Sequence, residues 1–350
     1  MTTYDPLVAT CPVPRAETER VLLGHGSGGQ LMAELLDTVI GRELGGHGPL
    51  EDAAVVELAG VDVVVSTDSF VVTPRFFRGG DIGSLAVHGT VNDIAMRGAR
   101  PVALALAYVL EEGLPLAELR AITASVAAAA RMAGVRVVTG DTKVVGRGAA
   151  DGIYLTTTGI GVPLPGAAVS AANARAGDVV LLSGPIGLHG ITILADRDEL
   201  GFDAEIASDS QPLHDLVAAM IAAAGPGVHA LRDPTRGGVA SALNELAVAS
   251  GVGIEITEHD LPVPAPVAAA CEVLGLDPLH VANEGCLLAL VTAESADAVL
   301  AAMRAVPAGR AARVIGRVTD GPTGRVTART LMGSSRIVDM LIGEQLPRIC

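Results

Sequence analysis

The 350-residue chain has no tryptophan and only three tyrosines and four phenylalanines. Proteins that sheath nucleic acid need aromatic faces for bases and surplus cations for phosphates. With 39 acidic against 24 basic residues and a net charge of −15, this chain offers neither. No nucleic-acid partner is expected. Cysteine is scarce as well: Cys11, Cys271, Cys286 and Cys350. Their number and scatter exclude a disulfide framework. Cys271, His280 and Cys286 share one segment, but their spacing fits no common zinc site. Cys271 and Cys286 read as buried small hydrophobes. Half the residues are hydrophobic, yet Gly, Pro or a charge interrupts every apolar run before it reaches spanning length. Residues 1–20 lack a basic stretch followed by an apolar one, so no signal peptide is expected. A cytoplasmic protein that touches no membrane is the expectation.

What the chain does have is length enough for two cored domains. Strand-like and helical runs alternate throughout. Val61–Thr67, Pro101–Leu110, Val135–Thr139 and Gly152–Ile160 read as strands of a first half. Asp81–Arg97 reads as a helix capped by Asp81, and Leu116–Ala133 as a helix ended by Gly134. The proline- and glycine-bearing stretch 161–177 is the linker candidate. Beyond it, strands are expected at Asp178–Ser183, Val252–Ile256, Leu287–Thr292 and Arg313–Val318. Helices are expected at Gln211–Ala224, Gly237–Ser250 and Glu294–Arg304. The fold class is α/β (α+β) with two domains. The expected divisions are a lead-in at 1–20, domains at 21–165 and 166–342, and a mobile tail at 343–350.

An acidic protein that handles phosphates must do so locally, through backbone amides, a few cations, or Mg²⁺ held by carboxylates. Several strings fit that need. Gly24-His25-Gly26-Ser27-Gly28-Gly29-Gln30 satisfies a formal GxGxxG, but no βαβ unit surrounds it, so a dinucleotide fold is not implied. It is either a phosphate-approaching loop before a helix near Leu31 or a plain turn. Asp52, Asp68, Asp93 and Asp141 sit at strand ends or on an apolar helix, where a carboxylate costs desolvation unless a cation or donors satisfy it. Each alone also reads as a cap or turn, although the apolar neighbours of Asp93 make that hardest there. Arg232-Asp233-Pro234-Thr235-Arg236-Gly237-Gly238 suits either anion binding at a helix start or a cap by Thr235. Glu284, before the apolar run LLALV, is either a general base or a turn residue. Cys350 ends the chain on Pro347-Arg348-Ile349. A terminal thiol has little packing value, so the tail is either a frayed end or an arm carrying a reactive sulfur. Arg348 would favour its thiolate and the terminal carboxylate would oppose it, so the sequence does not fix the thiol pKa.

Together the strings GHGSGGQ, EDAAV, STDSFVVTP, GGDIGSLAVHGTVNDIAMRGARP, EEGLP, VTGDTKVVGRG, LRDPTRGG, ANEG and the terminal PRIC resemble the HypE family of hydrogenase maturation proteins. That family lies within the AIR synthase (PurM-like) superfamily, and the resemblance spans residues 24–350 in order. It implies a PurM-like fold whose N-terminal sheet pairs with its copy in a homodimer, with ATP and Mg²⁺ in a cleft between the domains. It implies ATP-dependent dehydration of a carbamoyl group on Cys350 to a thiocyanate. The carbamoyl would come from the carbamoyltransferase HypF, and the cyanide would pass to iron on a HypC–HypD complex. By resemblance Glu284 is the base and Lys143 stabilises charge on the oxygen or phosphate. Asp52, Asp68 and Asp93 hold Mg²⁺. Gly26, Ser27, Gly28, Gly29, Asn92, Asp141, Asp233 and Arg236 contact the nucleotide. The runner-up is a small-molecule kinase or synthetase of the same superfamily, of selenophosphate or thiamine-phosphate type. A non-catalytic metal-delivery protein is the reading from another class, weakened by scattered cysteines and no His-rich tract.

Overall fold

The structure is a computed structural model that describes residues 20–45, 48–197, 206–343, 346 and 348–350. Of the expected lead-in only Arg20 falls among them, so Cys11 lies outside the described residues. The first sheet has five strands: β1 (Ala54–Leu58), β2 (Val61–Phe70), β3 (Ala99–Glu111), β4 (Arg136–Val145) and β5 (Ile153–Pro163). Their order is β1-β2-β5-β3-β4. Only β3 and β4 run parallel, so a crossover must join them, and the helix Leu116–Met132 supplies it. β-branched runs such as Val63-Val64-Val65 suit the pleated, half-buried surface.

Helix α1 (Gln30–Leu35) is short; α2 (Ile82–Met96) organises the molecule. The Asp81 carboxylate caps α2, accepting from the Gly83 N–H at 2.7 Å and the Ser84 N–H at 3.0 Å. The Ser84 hydroxyl accepts in return from the Asp81 N–H, which closes a capping box. α2 is apolar all round and almost wholly buried, as a helix packed on two sides must be. One side lies on the first sheet, where a Cβ at Gly159 would meet Ile94 Cδ1 at 2.6 Å. The other side faces the second half: Ala95 and Met96 share a core with Leu213, Leu216 and Met220. Leu116–Met132, here α3, covers the rest of the inner sheet face.

The second sheet holds β6 (Val179–Leu182), β7 (Val228–Arg232), β8 (Gly253–Thr257), β9 (Leu288–Val291), β10 (Arg313–Thr319), β11 (Val326–Arg329) and β12 (Ser335–Ile337). Their order is β12-β11-β8-β10-β6-β9-β7. Its two faces follow the period-two alternation of strand side chains. Val180, Leu182, Leu288 and Leu290 pack with helix Gly238–Ser250. Leu181, Leu231, Ala289 and Val291 pack with helices His214–Ala224 and Ala296–Ala305. The stretch 161–177 is pinned: Glu51 pairs with Arg97 at 2.7 Å and accepts from the Ser170 hydroxyl at 2.6 Å.

The expected strands and helices appear, with three differences. β4 runs to Val145 rather than stopping at Thr139, so Asp141 and Lys143 lie inside a strand and not after one. β2 likewise continues to Phe70, which puts Asp68 within it. The helices Leu188–Asp196 and Ala265–Leu274 and the strands β7, β11 and β12 were not expected.

Replacing Asp81 with Ala leaves two first-turn donors of α2 without acceptors. Urea unfolding should show a loss of about 1 kcal/mol, the usual value of an N-cap. Asp81→Asn should recover most of it.

Candidate active site

Between the two halves lies a cavity of about 200 Å³. β2 contributes Thr67 and Asp68, α2 contributes Gly89 and Asp93, and the segment before β1 contributes Asp52. The loop after β7 supplies Asp233, Thr235 and Arg236, and Glu284 and Cys350 close it. One oxygen each from Asp52, Asp93 and Asp233 can lie within 4.8 Å of one another. Asp52 and Asp93, both expected at the metal, are joined in this group by Asp233, expected at the nucleotide. Asp68 lines the same cavity, and its carboxylate accepts from the Ser69 N–H at 2.7 Å.

The cavity is electrostatically stressed. Burial, then the charges of Asp233, Asp68 and Asp52, pushes the Asp93 carboxyl well above its ordinary range, against one hydrogen bond from Ser66 at 2.6 Å. Burial and Asp52 push Asp233 up to about 8. Asp52 is raised by burial although Arg232 pairs with it, and Asp68 is raised by burial against Arg236. Carboxylates crowded in this way hold protons until a cation replaces them. An all-oxygen donor set of this kind suits a hard divalent ion such as Mg²⁺. Glu284 is buried, and its Oε1 has no hydrogen-bond partner. Burial first, then Asp233, Asp209 and Asp68, raises it well above the usual carboxylate range.

The tail is seated in this cavity. The Cys350 carbonyl accepts from the Val71 N–H at 3.0 Å and the Arg348 carbonyl from the Thr73 N–H at 3.1 Å. Burial pushes the Cys350 thiol up to about 12, against the nearby Arg236 guanidinium. The resting sulfur is therefore a neutral thiol, a state the sequence had left open. Arg348 does not face it: its guanidinium pairs with Asp151 at 2.7 Å and donates to the Val71 carbonyl. Pro347 lies outside the described residues.

Cys350 and Arg236 separate the acidic cavity from a second one of about 170 Å³, lined by Gly26, Ser27 and Ser69 among others. The glycine loop is held close to the Arg236 loop. Gly28 sits at φ +73°, and a Cβ there would lie 2.7 Å from the Arg236 carbonyl. A Cβ on Gly29 would collide with the Leu341 carbonyl. These two glycines answer to protein backbone, while Gly26 and Ser27 face the cavity. Thr235 makes no side-chain cap; Gly237, at φ +75°, starts the following helix instead.

Three expected residues are not brought to the cavity of their own chain. Asn92 is buried about 100° round α2 from Asp93; its amide donates to the Gln211 carbonyl at 3.1 Å and its oxygen accepts from the Leu213 N–H at 2.8 Å. These bonds join the two halves. Asp141 and Lys143 pair with each other at 2.5 Å on exposed β4. Asp141 lines a separate groove between β4 and α3. Unforeseen from sequence were Thr67, Gly89 and the Arg232 cation on Asp52. Gly89 is needed because a Cβ would meet Phe70 Cζ at 2.9 Å. Arg232 stood beside Asp233 in the string, but its partner is 180 residues away.

Comparison with known proteins shows the family. The AIR synthase related protein, N-terminal domain, matches residues 50–163, and the AIR synthase related protein, C-terminal domain, matches residues 175–329. The carbamoyl dehydratase HypE of Azotobacter vinelandii is 57% identical over 328 residues, covering 93% of this chain and 96% of that protein. The chain belongs to the HypE family. Two solved structures from that family align along it. A HypE–HypF complex gives a TM-score of 0.83 at 47% identity, covering 89% of this chain and 100% of that one. HypE in complex with ATP gives 0.80 at 46% identity, covering 95% and 100%. Among the described residues no helix is long and apolar enough to cross a membrane.

The raised carboxyl at Asp233 fixes a pH dependence for the chelator-treated protein. Its folded value near 8 exceeds the ordinary 3.8, so the native state binds the extra proton between those limits. Wild-type stability should therefore fall relative to Asp233→Asn as pH rises from 5 to 8. Paired thermal melts would show a widening difference, and Mg²⁺ should narrow it. Parallel curves would show that Asp233 does not titrate there.

Proposed function

We propose that this chain uses ATP to dehydrate a carbamoyl group carried on Cys350 to a thiocyanate. The observation that carries this is the meeting of a C-terminal thiol, the unpartnered buried Glu284 and a carboxylate triad in one cavity. The similarity to carbamoyl dehydratases supports it. A carboxamide oxygen leaves poorly as oxide or hydroxide. Transfer of the γ-phosphoryl group to that oxygen lets it depart within phosphate, both N–H protons are lost, and a carbon–nitrogen triple bond forms. The sulfur–carbon bond stays intact throughout.

The residues divide this work. Cys350 is the covalent carrier. Glu284 takes the N–H protons. A carboxyl pushed up in pKa is a stronger base once ionised, and no hydrogen bond in the fold occupies the buried Oε1. Asp52, Asp93 and Asp233 would hold Mg²⁺, which when bound neutralises charge on the phosphates. Asp68 and Arg236 line the same wall. Gly26 and Ser27 border the neighbouring cavity, as a nucleotide cradle requires. The donor of the carbamoyl group is the carbamoyltransferase HypF, a reading supported by the HypE–HypF complex. The acceptor of the cyanide is iron on HypC–HypD, and the setting is the cytoplasm.

The working form is a homodimer. The outer face of the first sheet carries exposed Val102, Ile160 and Val162 with no helix over it among the described residues. Apolar sheet faces of this kind are covered in the assembled state. A second copy covers it and gives Lys143, exposed on the free edge strand, a route to the opposite cavity. Ile160→Glu should move the chain from dimer to monomer in sedimentation velocity. It should also cut ATP-dependent turnover.

Intact mass follows the chemistry directly. With the carbamoyltransferase and carbamoyl phosphate the chain should gain about 43 Da, and ATP should then remove about 18 Da, as expected for a thiol carrier. Cys350→Ser should show neither change. Glu284→Gln should still gain the carbamoyl group, since that transfer uses the partner's site. Its loss of water should slow by roughly a hundredfold, the usual effect of losing a general base. Dehydration at the normal rate would move the base elsewhere. A small-molecule kinase would keep its turnover when residues 347–350 are removed; the dehydratase would not.

A further inference from the structure

The last three residues of the chain have all their carbonyls captured, and not by the cavity that uses the thiol. His189 Nε2 donates to the Ile349 carbonyl at 2.6 Å. Arg197 Nη2 donates to the Arg348 carbonyl at 2.8 Å, and its Nε donates to the Thr73 carbonyl at 2.7 Å. His189 lies in the first turn of helix Leu188–Asp196, and Arg197 is its C-cap. One short helix thus grips the tail at both ends.

The hydrogen-bond pattern fixes the state of the ring. The Ser210 N–H donates to the Ser208 hydroxyl oxygen, leaving its O–H to point at His189 Nδ1, 2.7 Å away. The Ile349 carbonyl can only accept, so Nε2 carries a proton and donates it to the tail; in a neutral ring Nδ1 then accepts from the Ser208 hydroxyl. Burial holds His189 down at about 4, in keeping with a neutral ring. Phe77 packs edge-on at 5.5 Å and fixes the ring plane.

The same helix is fastened to the loop that carries Glu284. The Gly190 N–H donates to the Ala282 carbonyl, and the Gly187 N–H to Asn283 Oδ1 at 2.7 Å. A Cβ at Gly190 would lie 2.6 Å from Val281 Cγ1 and 3.1 Å from Leu346 Cδ1, so the helix touches both that loop and the tail. The buried Asp209 carboxylate accepts from the His189, Glu284 and Gly285 N–H groups, tying the helix start to the same loop.

We propose that His189 and Arg197 are positioning residues that latch the C-terminal tail, setting Cys350 at Glu284 and hiding its sulfur until the latch opens. The functional half of this rests on the dehydratase reading above; the latch itself does not. Because the latch favours the inner position, weakening it moves the two half-reactions in opposite directions. Acceptance of the carbamoyl group, which needs the tail outside, is not slowed. Dehydration, which needs it inside, is.

The experiment measures alkylation of Cys350 by iodoacetamide in the full chain, with peptide mass spectrometry to separate it from Cys11, Cys271 and Cys286. His189→Ala and Arg197→Ala should each raise its rate by roughly tenfold, the population change expected for one lost buried hydrogen bond. His189→Gln, which keeps a donor near Nε2, should restore most of the protection. Cys271 and Cys286 should stay unreactive; their joint exposure in one variant marks general loosening and leaves the decision to the other. Unchanged labelling of Cys350 in the well-folded variants would overturn the latch. In coupled assays the variants should carbamoylate at the wild-type rate or faster and dehydrate more slowly. If labelling rises while dehydration keeps its normal rate, the latch stands and the assignment of chemistry to the inner position falls.

Discussion

A helix buried on both sides, with one carboxylate on it, holds this molecule together. α2 packs on the first sheet through Ile94 and on the second half through Ala95 and Met96. Its polar residues are placed where each has a purpose. Asn92 bonds two backbone groups of the second half. Asp93, the next residue, faces the cavity. Because α2 belongs to both cores, the cavity edges from β2, from the loop after β7 and from Glu284 keep their spacing. The acidic cluster depends on that rigidity, since like charges at such separations would otherwise drive their supports apart.

The interior suits a loaded sulfur better than a free thiolate. Burial and the charges of Glu284, Asp68 and Asp93 outweigh Arg236, so the seated thiol keeps its proton. A neutral thiol is a poor nucleophile and resists oxidation. A thiocarbamate has no charge to desolvate, so acylation removes the penalty that burial places on the sulfur. The energetics thus separate the steps in the proposed reaction. Acceptance of the acyl group needs a thiolate and therefore water or a partner's site, whereas conversion needs the dry inner position. A carrier at the end of the chain can serve both, because only a few hydrogen bonds must be exchanged.

How much was legible in the sequence varies by residue and for physical reasons. α2 and its Asp81 cap were plain, because capping and an unbroken apolar run are local signals. The grouping of Asp52, Asp93, Glu284 and Cys350 was legible only through the family resemblance, since they are scattered along the chain with no shared local pattern. β4 was cut short because Gly140-Asp141-Thr142 has turn composition. In the fold Gly140 sits against the Leu106 carbonyl, where any Cβ would collide, so strand pairing overrides that preference. The helix Leu188–Asp196 escaped notice because Gly190 and the β-branched Ile191, Thr192 and Ile193 lower its propensity. Gly190 is there for close approach to the tail and the Glu284 loop, a tertiary demand with no local trace. Arg348, two residues from Cys350, would share its face on an extended tail, but its backbone is left-handed at φ 52° and Asp151 holds its guanidinium.

The carboxylates also impose an order on the proposed chemistry. At rest, burial and mutual repulsion keep protons on several of them, Asp233 and Glu284 among those most affected. Glu284 is raised in part by Asp233 and Asp68, so its basicity is tied to their charge. Asp52, Asp93 and Asp233 would hold a divalent ion in place of their protons, and that ion would supply positive charge near Glu284. Positive charge there would favour the ionised base, while burial keeps its proton affinity high. In the proposed reaction, proton removal from the carbamoyl nitrogen would in this way depend on the loaded site. The coupling needs no moving part; it follows from placing five carboxyl groups around a volume of about 200 Å³.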